Sequence, residues 1–132
     1  MDRATTNPAT AGPLRLLRAA VLLHLAAILW EGATAGQLVT LNMDALPLHY
    51  YGAFGVHALA GSQALAAALY WQRSGRGGGI PRTVLLVSLA AFALGFAQAA
   101  LGTYGPLQAH VPLALVLTGI AAWSAVLAWR GR

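Results

Sequence analysis

Four long apolar stretches dominate this sequence and constrain its fold more than any other feature. Each is close to the length of about 20 residues that a helix needs to cross a bilayer. Only 8% of the residues are charged, whereas a soluble domain carries about 25%. The chain is therefore predicted to be all-α, an integral membrane four-helix bundle with antiparallel, up-down connections. The expected spans are Leu14–Gln37, Leu48–Trp71, Thr83–Tyr104 and Leu107–Trp129.

The segments between these stretches define the predicted domain organisation. Residues 1–12 are small and polar, which is typical of a disordered tail. Residues 13–132 are expected to form a single four-helix transmembrane domain. Its longest connection, residues 72–82, is rich in glycine and arginine and is predicted to be a flexible loop. The last connection, around Gly105-Pro106, is short enough to pair the third and fourth helices as a hairpin.

The basic residues are all arginines, and they predict the orientation of the chain. They all fall on one side of the predicted spans, and the positive-inside rule then places both termini in the cytoplasm of a bacterial plasma (inner) membrane. Because they lie at the ends of apolar segments and form no patch, nucleic acid is not an expected partner. These residues are Arg3, Arg15, Arg18, Arg73, Arg76, Arg82, Arg130 and Arg132.

One competing interpretation concerns the first apolar stretch. Arg15 and Arg18, the apolar run and Ala33-Thr34-Ala35 together resemble a secretory signal with its cleavage site. A spanning helix is favoured, because the run is long enough to cross the bilayer and Glu31 interrupts the region of cleavage. The sequence contains no cysteine, which excludes disulfides, thiolate metal sites and iron–sulfur clusters.

All four histidines lie inside the predicted spans. An ionisable group in hydrocarbon is costly and often marks a functional site. At a rise of about 1.5 Å per residue, His49 and His110 lie within roughly 3 Å of the same depth below the outer surface. His57 and His24 lie roughly 14 Å and 20 Å down, respectively. His49 and His110 therefore form an outer pair on two helices.

Paired imidazoles at matched depth are what a haem iron requires as axial ligands. We therefore expect His49 and His110 to ligate the iron of a haem b. Small residues three to six positions beyond them would let the macrocycle approach the helix backbone, because residues three or four apart share a helix face. These small residues are Gly52, Gly55 and Ala114.

Other roles remain open for the same residues. Small residues also allow helices to pack closely without any ligand, and a membrane histidine can simply hydrogen-bond a neighbouring helix. Glu31 could pair with His24, orient a ligating histidine or relay protons. Gln98 is interpreted as an interhelical hydrogen-bond donor or as a contact to the polar edge of a cofactor. His24, His57 and Glu31 are secondary candidates for the site.

Part of the chain resembles one four-helix half of the haem A synthase family. The resemblance rests on Gln98-Ala-Ala-Leu-Gly102, followed after a short turn by His110-Val-Pro-Leu-Ala114. In that family, a helix with this glutamine–leucine–glycine pattern precedes a helix that bears a ligand histidine. His49, within LHYYGAFG, is similar to the family's second-helix histidine. The resemblance covers roughly residues 45–115 and implies a bundle with a bis-histidine haem site, to which Gln98 and Gly102 would contribute.

The chain also departs from the pattern of this family. Haem A synthase has two such halves, and its first half carries a glutamate three residues before the second-helix histidine. Here that position is Leu46, and Phe54 stands three residues before His57. The resemblance therefore does not extend to hydroxylation of the haem, and we expect neither a haem A synthase nor catalytic residues in this chain.

Three functions follow as hypotheses. The first is a haem-binding membrane protein that transfers electrons or handles haem. The second is a cofactor-free accessory or structural subunit of a larger membrane complex. The third, weaker hypothesis is a proton or small-substrate conduit that uses Glu31, His24 and His57. In each case the expected partners are the lipid bilayer and either a second copy of the chain or a larger respiratory complex.

Overall fold

The computed structural model of the protein describes residues 8–131, which are almost entirely helical and contain no strand. This confirms the prediction of an all-α chain with four long apolar helices. A single 3-10 turn, Met43–Ala45, lies in the first connection. The four helices are α1 (Pro8–Val39), α2 (Leu46–Arg73), α3 (Ile80–Tyr104) and α4 (Leu107–Arg130).

The helix ends follow from local sequence. Pro47 and Pro81 occupy the first turn of α2 and α3, where a missing N–H costs no hydrogen bond. Between them, Gly75 and Gly79 adopt φ values of 80° and 75°, a left-handed backbone that glycine adopts without steric cost. The connection that the structure shows is therefore shorter than the expected loop, since α2 continues to Arg73 and α3 begins at Ile80.

Helix α1 begins earlier than the sequence suggested. Residues 8–12, which were expected to belong to a disordered tail, form its first turns, while residues 1–7 of that tail lie outside the described residues. A proline at the first position sets a helical φ, and Ala9 and Ala11 favour helix. The physical reason for the difference is that small residues such as these are compatible with a disordered tail and also with an extension of the helix.

All four helices are long and apolar enough to cross a membrane. The 32 residues of α1 span about 48 Å, which exceeds the hydrocarbon thickness of about 30 Å. Each helix contacts two others in a closed ring, in which α1 packs against α2 and α4, and α3 packs against the same two. The four helices therefore enclose a common interior.

The two ends of this interior differ in packing. One end, which we call the arginine end, carries Arg15, Arg18, Arg73, Arg82 and Arg130, and the apolar core lies on that side. The core contains Leu14, Leu17, Val21, Ala67, Tyr70, Val84, Leu127 and Ala128.

The opposite end, which we call the histidine end, holds the 3-10 turn and the α3–α4 connection. Near these two connections, the buried residues among those described are Thr34 in α1 and Ala45 in the 3-10 turn. The lining there mixes polar side chains with apolar ones such as Ala33 and Leu48. The histidine end is thus less tightly packed than the arginine end.

Candidate functional site

His49 lies near the start of α2 and is held by two groups of α1. Its Nδ1 is 3.1 Å from Glu31 Oε2 and 3.0 Å from Thr34 Oγ1. Because Thr34 donates its own proton to the Glu31 backbone carbonyl at 3.0 Å, its oxygen acts as an acceptor toward the imidazole. The proton of neutral His49 therefore lies on Nδ1, and Nε2 keeps a free lone pair.

A glycine makes room for this arrangement. A Cβ built on Gly52 would overlap Oε1 of Glu31 and come within 3.1 Å of its carboxyl carbon. The carboxylate therefore fits against the α2 backbone only because position 52 lacks a side chain. Sequence reasoning assigned Gly52 to the approach of a porphyrin, and the structure fills that space with Glu31. Glu31 thus contacts His49 and not His24, the other partner considered from the sequence.

His110, at the start of α4, is held by α3 in a comparable way. Its Nδ1 donates to the backbone carbonyl of Gln98 at 3.0 Å, and its Nε2 lies 3.3 Å from the Gln98 side-chain amide nitrogen. The ring packs on Gly102, where an added Cβ would lie 2.7 Å from Cε1. The tautomer is the same as that of His49, with a proton on Nδ1 and a lone pair on Nε2.

The structure brings these two imidazoles together from different helices. The centroids of the His49 and His110 rings are 6.5 Å apart, and their planes make an angle of 80°. Two imidazoles on opposite sides of one metal, with bonds of roughly 2 Å, have centroids roughly 6 Å apart. The separation therefore fits a shared metal centre, and both rings are already oriented by an acceptor on Nδ1, as ligand histidines usually are.

His57 lies two turns further along α2 and leaves one nitrogen unused. Its Nδ1 donates to the carbonyl of Ala53 at 2.9 Å, and its ring lies 4.7 Å from that of Phe96. Nε2 faces Gly95, where an added Cβ would be 3.3 Å away. This nitrogen is buried and has no hydrogen-bond partner.

Within residues 8–131, three buried side-chain atoms lack a hydrogen-bond partner, and all belong to this half of the bundle. They are Oε1 of Glu31, Nε2 of His57 and Oε1 of Gln98. With the tautomers given above, all three are acceptors. An unpaired buried acceptor costs about 1–3 kcal/mol, so the histidine end offers lone pairs for which the described residues supply no donor. Such a lining suits a bound group or ordered water.

The described residues contain no group of three or more histidine, aspartate or glutamate side chains placed to hold a metal ion. A metal bound by protein ligands alone usually takes three or four such side chains. A haem iron takes four nitrogens from its own macrocycle and needs at most two from the protein. The residues present therefore fit a haem better than a bare metal ion.

His24, the deepest histidine, belongs to a separate buried layer. Its Nδ1 is 2.8 Å from Gln63 Oε1, and Gln63 Nε2 donates to Ser88 Oγ at 2.9 Å. These three side chains, from α1, α2 and α3, are at most 2% exposed. Sequence reasoning missed Gln63 and Ser88, although polar residues inside apolar spans were the signal that could have found them.

The remaining predicted site residues lie further from these contacts. An added Cβ on Gly55 would meet nothing within 4 Å, and Ala114 is half-buried one turn beyond His110. Their role beside a macrocycle stays a prediction. Thr34, which sequence reasoning considered only as part of a cleavage site, proves to be a direct partner of His49.

Comparisons with protein families, with curated proteins and with solved structures find no match to this chain. The resemblance to haem A synthase therefore stays a prediction that rests on the residues of the sequence. The geometry of the histidine end is what indicates a function for this chain.

Proposed function

We propose that this chain is a haem-binding membrane protein, in which His49 and His110 would hold the iron of a haem b. The observation that carries the proposal is the 6.5 Å separation of two imidazole centroids on different helices. Each ring has its Nδ1 committed to an acceptor. Nε2 of His49 is then left for the iron, and Nε2 of His110 would give up its contact with the Gln98 amide for it. A haem would supply one-electron redox chemistry at a potential set by its axial ligands, its burial and nearby hydrogen bonds.

The surroundings of the two histidines support the same proposal. The three unpaired acceptors lie in this half of the bundle. Glu31 and Thr34 would hold His49, and the Gln98 carbonyl would hold His110, as outer partners of ligand histidines do. Electron transfer or haem handling is the function that such a site supports best.

The placement in the membrane is part of the proposal. We infer an antiparallel up-down bundle, because the contact partner in α2 moves back along the chain as α1 advances. His24 contacts Gln63, and Thr34, ten residues later in α1, contacts His49. We further infer that the membrane is a bacterial inner membrane. The arginine end faces the cytoplasm under the positive-inside rule, and the haem would lie toward the opposite surface.

An absorption spectrum of the protein purified from haem-supplied membranes tests the proposal. We expect a Soret band and a shift on reduction in the wild type, and loss of the band in His110→Ala. His57→Ala is the matched control, since His57 is another partly buried histidine of α2 that lies outside the proposed ligand pair. A colourless wild-type protein, or equal loss in both variants, would contradict the assignment.

A cofactor-free accessory subunit is the second candidate, and one observation favours it. His57 and His110 each donate to a backbone carbonyl, and His110 uses both ring nitrogens within α3. Such bonds are also what purely structural histidines make. Under this candidate, replacing His49 and His110 by glutamine leaves assembly with a stoichiometric partner intact and leaves the protein without haem.

The conduit hypothesis has less support. The layer formed by His24, Gln63 and Ser88 is hydrogen-bonded within itself. In the described chain, His57 Nε2 has no partner that would extend it toward Glu31. A proton path through these residues would need water between the two groups.

A further inference from the structure

A cleft at the arginine end has no role in the haem proposal. It is an open cleft of about 840 Å³ where the ends of α2 and α4 meet the beginnings of α1 and α3. Arg73 and Arg130 line it, together with Ser74 and the first residues of α3, Ile80 and Pro81. A cleft of this size with two arginine residues in its wall can accept a large polar group.

The charge around this cleft is uncompensated. Within residues 8–131, the acidic side chains are Glu31 and Asp44, and both lie toward the histidine end. The one ion pair found in that part of the chain joins Glu31 to His49. The arginine end therefore carries several guanidinium groups without a carboxylate from the described chain to pair with them. An anion is the ligand whose charge complements these guanidinium groups.

The backbone of α3 adds to the same field. Gly79 precedes α3 and provides no side-chain cap for its first amides. The beginning of a helix carries a partial positive charge and unpaired N–H groups, which favour phosphate. Since Ile80 and Pro81 border the cleft, this positive end lies beside the two arginines.

Arg18 reduces the partial negative charge at the C-terminus of α4, which lies near the cleft. The C-terminus of α4 forms part of the cleft wall, and unpaired carbonyls there would repel an anion. Arg18 donates to the carbonyls of Ala128 at 3.1 Å and Gly131 at 3.2 Å. Arg130 is itself positioned 5.8 Å from the centroid of the Trp123 ring. Two of the carbonyls at this end, those of Ala128 and Gly131, are thus already paired.

We propose that this cleft binds the phosphate headgroup of an anionic phospholipid. Arginine forks match phosphate oxygens in a bidentate way. A lipid is favoured over a free anion because the cleft lies at one end of four membrane-length helices, where lipid headgroups would meet it. Trp71 and Trp129, a residue type that favours the membrane interface, lie at the same end. This inference is independent of haem binding.

Native mass spectrometry of the detergent-purified protein tests the proposal. The wild type is offered equal amounts of phosphatidylglycerol and phosphatidylcholine, and we expect it to retain phosphatidylglycerol selectively. Arg73→Gln/Arg130→Gln lowers that retention roughly 30-fold, from the loss of two arginine contacts to anionic lipid. The matched control is Arg15→Gln/Arg76→Gln, which removes the same charge from the same end outside the cleft and leaves retention within about threefold.

Two further measurements make the result decisive. Circular dichroism checks the folding of each variant. If the double variant is unstable, the single variant Arg73→Gln, at an exposed position, replaces it, and we expect a smaller loss of phosphatidylglycerol retention. Displacement of the lipid by millimolar inorganic phosphate identifies a free phosphate as the ligand and overturns the lipid proposal. Equal losses in the cleft and control variants, or no preference between the two lipids, also overturn it.

Discussion

Replacement of Gly52 by alanine perturbs the proposed site without touching either histidine. A Cβ at this position overlaps the carboxylate of Glu31, the group that accepts from His49 Nδ1. The carboxylate is the far end of a flexible side chain, so it can rotate away from α2. The expected consequence is that His49 loses one of its two acceptors, while Thr34 remains as the other.

The magnitude follows from two opposing effects. Alanine for glycine inside a helix contributes about 1 kcal/mol of helix propensity. Overpacking against a fixed neighbour costs about 1–3 kcal/mol. Compared with a Gly→Ala variant at a helical position with open surroundings, the Gly52→Ala variant should therefore be less stable by about 1–3 kcal/mol. The difference is smaller if the Glu31 side chain rotates away. Loss of a group that orients a metal ligand lowers metal affinity roughly 10- to 100-fold, so haem affinity should fall by that factor.

The assay compares Gly52→Ala with Gly119→Ala, whose added Cβ would meet nothing within 4 Å. Unfolding in detergent gives stability, and titration of the haem-free protein with haem gives affinity. We expect Gly119→Ala to be at least as stable as the wild type and to bind haem equally well. If the two variants agreed in both stability and haem affinity, the reasoning about Glu31 and His49 would be wrong.

Three other predictions follow from single contacts. Ser88→Ala removes the hydroxyl that accepts from buried Gln63 and should lower the free energy of unfolding by about 1–3 kcal/mol. Its control is Ser62→Ala, which should change that free energy little, because Ser62 is exposed and hydrogen-bonds only within its own helix. Arg18→Gln loses charged hydrogen bonds to two carbonyls of the α4 end and should cost about 1.5–3 kcal/mol in an unfolding titration. Exposed Arg15→Gln is its control, and equal effects would refute the role of those bonds. Thr34→Val keeps the shape but removes the hydroxyl, and haem titration should show a smaller loss of affinity than Gly52→Ala shows.

The sequence was sufficient to predict the helices because their lengths depend on local apolar composition. The four segments between Leu14 and Trp129 lie within the helices observed. The beginning of α1 at Pro8 was less predictable, since small residues such as Ala9 and Ala11 are compatible with both a tail and a helix.

The site was predictable in part. Matched depth along two helices is a one-dimensional property, and it brought His49 and His110 together as candidates. Side-chain partners depend on how helices rotate about their axes, which the weak amphipathicity of a membrane span does not specify. For that reason Thr34, Gln63 and Ser88 were missed as partners, and Gly52 was assigned to a macrocycle instead of to Glu31.

The central claim is that two imidazoles from α2 and α4 can hold one haem iron between them. Electron paramagnetic resonance of the ferric protein tests it directly, because the spin state reports the number and type of axial ligands. A low-spin signal in the wild type, converted to high-spin or lost in both His49→Ala and His110→Ala, is the result that the account predicts. A high-spin wild-type signal, or a low-spin signal that survives either substitution, would contradict it.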